Sequence, residues 1–224
     1  MKIFQALFFV MVALCMKANA QSGVGSKSVH INLPAVEVFM ALPENFRSKF
    51  DVNQAQERVD AYLSSKPEQR GLTLAHEFYD VYSPWDIFSI NAMGRVEFVL
   101  GIGNIGMERL RQLNKNDGWI DFIKSTSARE LVEDGADFGV SHIVIGDGFD
   151  AYLVRRDNFV AGRNVTGLVD HALYESYIFP LKNGYVVSIT TEITQYNTKP
   201  KEDWVSVYEK KMKTVIRSIN FVNR

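Results

Sequence analysis

The side chains best suited to chemistry gather in one short stretch, Gly139-Val140-Ser141-His142-Ile143, with Asp147 and Asp150 close behind. A histidine near carboxylates is the material of general acid–base catalysis, and a serine beside it is the material of acyl transfer. Ile143 stands where a nucleophile elbow needs its second glycine, so the serine reads as a chance match. His142 with Asp147 or Asp150 remains a candidate pair for a small secreted hydrolase or a metal-dependent enzyme. The four histidines, His30, His76, His142 and His171, show none of the H-x-H, H-x-x-x-H or H-E-x-x-H spacings that place two ligands on one metal. Each reads as a strand residue with a hydrogen-bonding partner. Asp134, Asp137, Asp147 and Asp150 lack the alternating ladder of a calcium loop and read as turn residues.

Two further patterns could serve binding. Gly101-Ile102-Gly103-Asn104-Ile105-Gly106 fits G-x-G-x-x-G, whose glycines let a backbone approach a pyrophosphate at a helix N-terminus. The parallel strand and acidic residue required about twenty residues later are missing, because a helix beginning at Trp119 takes that place. The glycines are therefore read as a turn or twisted strand end beside a ligand groove, and no cofactor is expected. Tyr79, Tyr82, Trp85 and Phe88 cluster around Ser83-Pro84. With Gly101 and Gly103 they form the candidate binding surface, either for another protein or for a small hydrophobic ligand.

The elements that must position these residues follow from periodicity. Val29–Leu33 and Val36–Leu42 alternate with period two, as do Leu72–Tyr82, Arg95–Leu100, Ser141–Ile145 and Phe149–Arg155. Trp85–Ile90 is a possible partner of the strand from Arg95. Lys182-Asn183-Gly184 between the runs Leu173–Leu181 and Tyr185–Ile193 is a hairpin signal. In the second run one alternating face reads as core and the other as half solvated. Helical spacing predicts helices near 52–65, 119–133 and 201–219. In the last, Trp204, Tyr208, Met212, Val215, Ile216 and Ile219 form one stripe. These elements give an α+β fold, a mainly antiparallel sheet of about five to seven strands with helices packed on it.

Residues 1–20, MKIFQALFFVMVALCMKANA, read as a secretory signal peptide: a basic start, an apolar stretch and an Ala-Asn-Ala ending before Gln21. The apolar stretch of about eleven residues is too short for a span, which needs about twenty, so no membrane span is expected after cleavage. Residues 21–28 read as a flexible leader and 29–224 as a single α+β domain, working in the periplasm or outside the cell. The only cysteine, Cys15, lies in the signal, so the mature chain has neither disulfide nor thiol nucleophile. Losing Lys2 and Lys17 takes the 25 basic residues to 23 against 26 acidic ones, a formal charge of −3. That balance and the scatter of the basic residues argue against a nucleic-acid partner.

Leu42-Pro43-Glu44-Asn45-Phe46, the strand start Gly148-Phe149-Asp150-Ala151-Tyr152, the Asn-Gly hairpin and the ending Ser218-Ile219-Asn220-Phe221 occur in an order that resembles the PsbP-like α/β/α sandwich family. That family includes the extrinsic photosystem II protein and many small bacterial secreted proteins or lipoproteins. The resemblance implies a non-enzymatic role, docking onto or assisting another protein, and supplies no catalytic residues. The expected function is thus a periplasmic or secreted protein-binding accessory, of the assembly-factor or toxin-immunity kind. The hydrolase and the hydrophobic-ligand carrier are the alternatives.

Overall fold

Period-two alternation folds into two antiparallel sheets. The computed structural model describes residues 25–33, 36–48, 57, 61, 73–82, 94–115, 117–131, 139–145, 148–157, 169–196 and 204–223. In chain order these hold β1 (Ser26–Leu33), β2 (Val36–Pro43), β3 (Arg47–Ser48), β4 (Thr73–Tyr82), β5 (Gly94–Asn104), α1 (Met107–Leu113), α2 (Gly118–Leu131), β6 (Gly139–Ile145), β7 (Phe149–Asp157), β8 (Val169–Pro180), β9 (Tyr185–Tyr196), α3 (Trp204–Arg217) and β10 (Asn220–Asn223). One sheet runs β1-β2-β10 and the other β3-β4-β5-β9-β8-β7-β6. The α+β expectation holds, but two sheets replace the single one, and β3 and β10 are strands that periodicity did not register. Of the predicted helix near 52–65 only residues 57 and 61 are described, both helical, and the strand Trp85–Ile90 lies outside the described residues.

Parity along the strands separates the two faces of the large sheet. Val96, Phe98, Leu100 and Ile102 on β5, Val187, Ile189 and Ile193 on β9, and Leu173 and Phe179 on β8 pack with the small sheet and α3 in the main core. The buried stripe of α3 is Val205, Tyr208, Met212, Val215 and Ile216, at the helical spacing that turns one side to the sheet. On the opposite face α1 and α2 build a second cluster, where Leu110, Leu113, Trp119 and Ile123 meet Val154 and Val186. The face read as half solvated is more enclosed than that, since Ser188 and Thr194 on it are buried.

The G-x-G-x-x-G stretch is not a turn at its start. Gly101 and Gly103 are buried inside β5, opposite Ser188 and Val186 of β9. Both neighbours of β5 are antiparallel to it, so among the described residues this strand is not part of the parallel βαβ unit a dinucleotide site requires. The chain turns only at Gly106, with φ 75° and ψ 154°, a conformation open essentially to glycine alone. There it meets the β8–β9 turn. The Ile105 amide donates to the Gly184 carbonyl at 3.0 Å, and a Cβ built on Gly184 would stand 3.0 Å from the Gly106 carbonyl carbon. Gly106 is thus explained by its backbone conformation and Gly184 by the close approach of the two chains.

Candidate functional site

The β6–β7 hairpin sets the geometry of the site. Its register puts His142 opposite Tyr152 and Val144 opposite Asp150, so His142, Asp150 and Tyr152 share one face. His142 Nε2 lies 3.0 Å from Asp150 Oδ1, and its ring is 5.3 Å from that of Tyr152. Tyr152 in turn stacks on Trp119 at 5.6 Å, and the Trp119 indole N–H donates to Asn114 Oδ1 at 2.7 Å. Burial, with Asp150 and Asp117 nearby, raises the Tyr152 pKa, which keeps its hydroxyl protonated as a donor.

Around this row opens a cleft of about 520 Å³. Its floor is apolar and buried, from Leu110, Phe179 and Leu181, while His142, Asp150 and Lys182 stand exposed at its rim. The His142 and Asp150 side chains are 49 % and 70 % exposed. Chemically the cleft offers an aromatic and aliphatic floor, hydrogen-bonding groups and one lysine. It offers no Ser–His couple, because Ser141 alternates to the face opposite His142. Among the described residues no group of three or more His, Cys, Asp or Glu is placed to hold a metal ion.

Farther along the same face, β5 and β9 set Glu97 directly opposite Glu192, with Tyr79 of β4 next in the row. Arg95 pairs with Glu97. Burial and then the Glu97 charge raise the Glu192 pKa. A carboxyl raised in the folded state contributes stability while protonated, below the ordinary glutamate range, and that contribution is lost as pH rises through the folded value. Glu192→Gln is therefore expected to be more stable than the parent at pH 7, with the advantage fading below about pH 4. Thr194, which donates to Glu192 Oε1 at 3.3 Å, can still donate to the amide oxygen. Urea titrations at the two pH values check this; an equal or lower midpoint at pH 7 would refute it.

The sequence-derived candidates fare unevenly. His142 and Asp150 come together at the cleft. Asp147 lies outside the described residues. Tyr79, Gly101 and Gly103 do lie on one sheet face, but none of the three lines the cleft. The main chain of Tyr82 in β4 pairs with Gly94 of β5, and Trp85 and Phe88 lie outside the described residues. His30 is bonded to Glu37 at 3.0 Å and stacked on Phe39, the satisfied strand residue its spacing suggested. Asn114, Tyr152, Phe179 and Lys182 were missed. Tyr152 had a usable signal, since folding the two alternating runs on either side of Gly146-Asp147-Gly148 into a hairpin brings it opposite His142.

Among the described residues no helix is long and apolar enough to cross a membrane. No family model matches the chain, and no curated protein sequence matches it. Among solved structures the chain is similar to LpqN, involved in cell envelope biogenesis of Mycobacterium tuberculosis, with 11 % identity and a TM-score of 0.44 over 91 % of this chain and 94 % of that one.

Proposed function

We propose that this chain is an exported, non-enzymatic accessory protein that holds another protein through the cleft between α1 and the β6–β7 and β8–β9 turns. The supporting observation is the cleft's anatomy. A buried apolar floor ringed by exposed polar side chains is how the centre and rim of a protein interface are built. The signal-like residues 1–20 and the PsbP-like motifs at Leu42–Phe46, Gly148–Tyr152 and Ser218–Phe221 belong to the same reading. One observation favours a hydrolase instead, the 3.0 Å contact between His142 and Asp150. That pair lies in solvent, where a histidine gains little from its carboxylate.

Reversing the rim charges tests the proposal without disturbing the fold, since Asp150 and Lys182 are exposed. Asp150→Lys with Lys182→Glu is expected to reduce recovery of a stoichiometric partner from the exported fraction at least tenfold, about 1.4 kcal/mol. Equal recovery by both forms, or no stoichiometric partner for the parent chain, would overturn it.

A further inference from the structure

We propose that β6 is a self-complementary edge through which two copies of this chain join their large sheets into one. The proposal rests on the binding reading above and adds its quaternary frame: pairing at β6 sets two clefts, each rimmed by His142, on either side of one twofold axis.

Exposed strand edges invite pairing, and natural proteins blunt them by shortness, charge or proline. Among the described residues four strands end the sheets: β3, β6, β1 and β10. β3 is two residues long and begins with Arg47, β10 is four residues long, and β1 carries Lys27. Among the described residues β6 alone carries none of these three devices: it is seven residues long, GVSHIVI, without a charge or a proline. Gly139, Ser141 and His142 are exposed, and Val144 is 63 % exposed.

The order of residues selects a second copy as the occupant. An antiparallel pair with its twofold axis at His142 faces Gly139 with Ile145, Ser141 with Ile143 and Val140 with Val144. On one face each small residue meets a β-branched one, and on the other valine meets valine. The strand holds no Asp, Glu, Lys or Arg, so apart from His142, which meets its own image on the axis, no ionisable side chains are brought together. A seven-residue strand pair is a small interface, so the dissociation constant is expected on the order of 10 μM.

Cys15 is the only native cysteine, so the full chain carrying Cys15→Ser gives a clean background for single cysteines. In the centred register residue 142 meets its own image at roughly 4.5–5.5 Å between Cα atoms, within the disulfide range of about 4.4–6.8 Å. Residue 144 faces residue 140 of the other copy and lies about 13 Å from its own image. Under mild oxidation His142→Cys is expected to give at least ten times the disulfide dimer that Val144→Cys gives, and pairing Val140→Cys with Val144→Cys should restore it. Sedimentation of the unsubstituted chain should show dimer growing between roughly 1 and 100 μM, and Val144→Lys should weaken it at least tenfold. Equal yields from the two single cysteines, or a chain still monomeric at 100 μM, would overturn self-pairing. Neither result touches the partner reading, which stands or falls on the rim-charge variants.

Discussion

Phe221→Ala is expected to lower stability by about 3–5 kcal/mol, the usual cost of emptying a buried phenylalanine site. Phe221 belongs to β10, the strand that adds the chain's C-terminal end to β2, and its ring fills the space between the two sheets. It meets Phe149 edge-on at 5.3 Å and Phe179 at 4.9 Å, so one substitution removes two ring contacts and opens a void in the main core. For a chain of this size the loss corresponds to a fall in Tm of about 10 °C. Val222 supplies the control: the next residue of β10 turns its side chain outward and is 45 % exposed, and its replacement by alanine should cost no more than about 0.5 kcal/mol. Thermal and urea unfolding of the two variants decide the matter. Similar small losses for both would show that β10 does not hold the small sheet to the large one.

That strand also marks where sequence reading stops. The stripe from Tyr208 to Ile219 has helical spacing and turns one side to the core as expected, because a surface helix must carry its apolar residues at every third or fourth position. Asn220–Asn223 carries too few residues to show any period, and what makes it a strand is β2, at the other end of the chain. Division into two sheets was hidden for the same reason: alternation tells which residues share a face, but not which strand lies alongside. Local turn chemistry was legible. Lys182-Asn183-Gly184 lies in the four-residue loop 181–184 that joins β8 to β9 as a hairpin, with Gly184 at φ 85°, where the Asn-Gly signal placed a turn.

The candidate site was half legible. His142 and Asp150 could be singled out because two short alternating runs flank Gly146-Asp147-Gly148, and a hairpin brings its arms together. The cleft floor could not, since Leu110 arrives on α1 and Phe179 on β8, from elements far apart in sequence. The aromatic run near Ser83-Pro84 was singled out by composition alone. Such density serves packing as readily as recognition.

Glu175→Ala is the second substitution expected to act strongly, at about 3 kcal/mol, through charge rather than volume. On the face beneath α3, the Glu175 side chain is 2 % exposed and accepts from Arg155 Nη1 and from the Tyr177 hydroxyl, both at 2.7 Å. Arg155 also donates to Glu209 of α3 at 2.8 Å, and Lys213 donates to the same oxygen at 2.6 Å. Removing one member of a buried pair commonly costs about 3–5 kcal/mol because the other is left uncompensated. Here the lower end applies, since Arg155 is one-third exposed and keeps Glu209. Burial and the neighbouring Glu175 hold the Tyr177 hydroxyl well above the usual tyrosine range, so it stays a donor and would be left without its acceptor. Tyr177→Phe alone should cost about 1 kcal/mol, and adding it to Glu175→Ala should cost less than the sum, because the stranded hydroxyl is then gone. The hydrogen bond from Lys213, with that from Arg155, lowers the Glu209 pKa, so its contribution is present above the ordinary glutamate range and disappears as pH falls through the lowered value. The cost of Glu175→Ala should accordingly be read at neutral pH, well above the range in which Glu209 loses its charge. A loss under about 1 kcal/mol there, or strict additivity with Tyr177→Phe, would mean that α3 is held to the sheet by its apolar stripe alone.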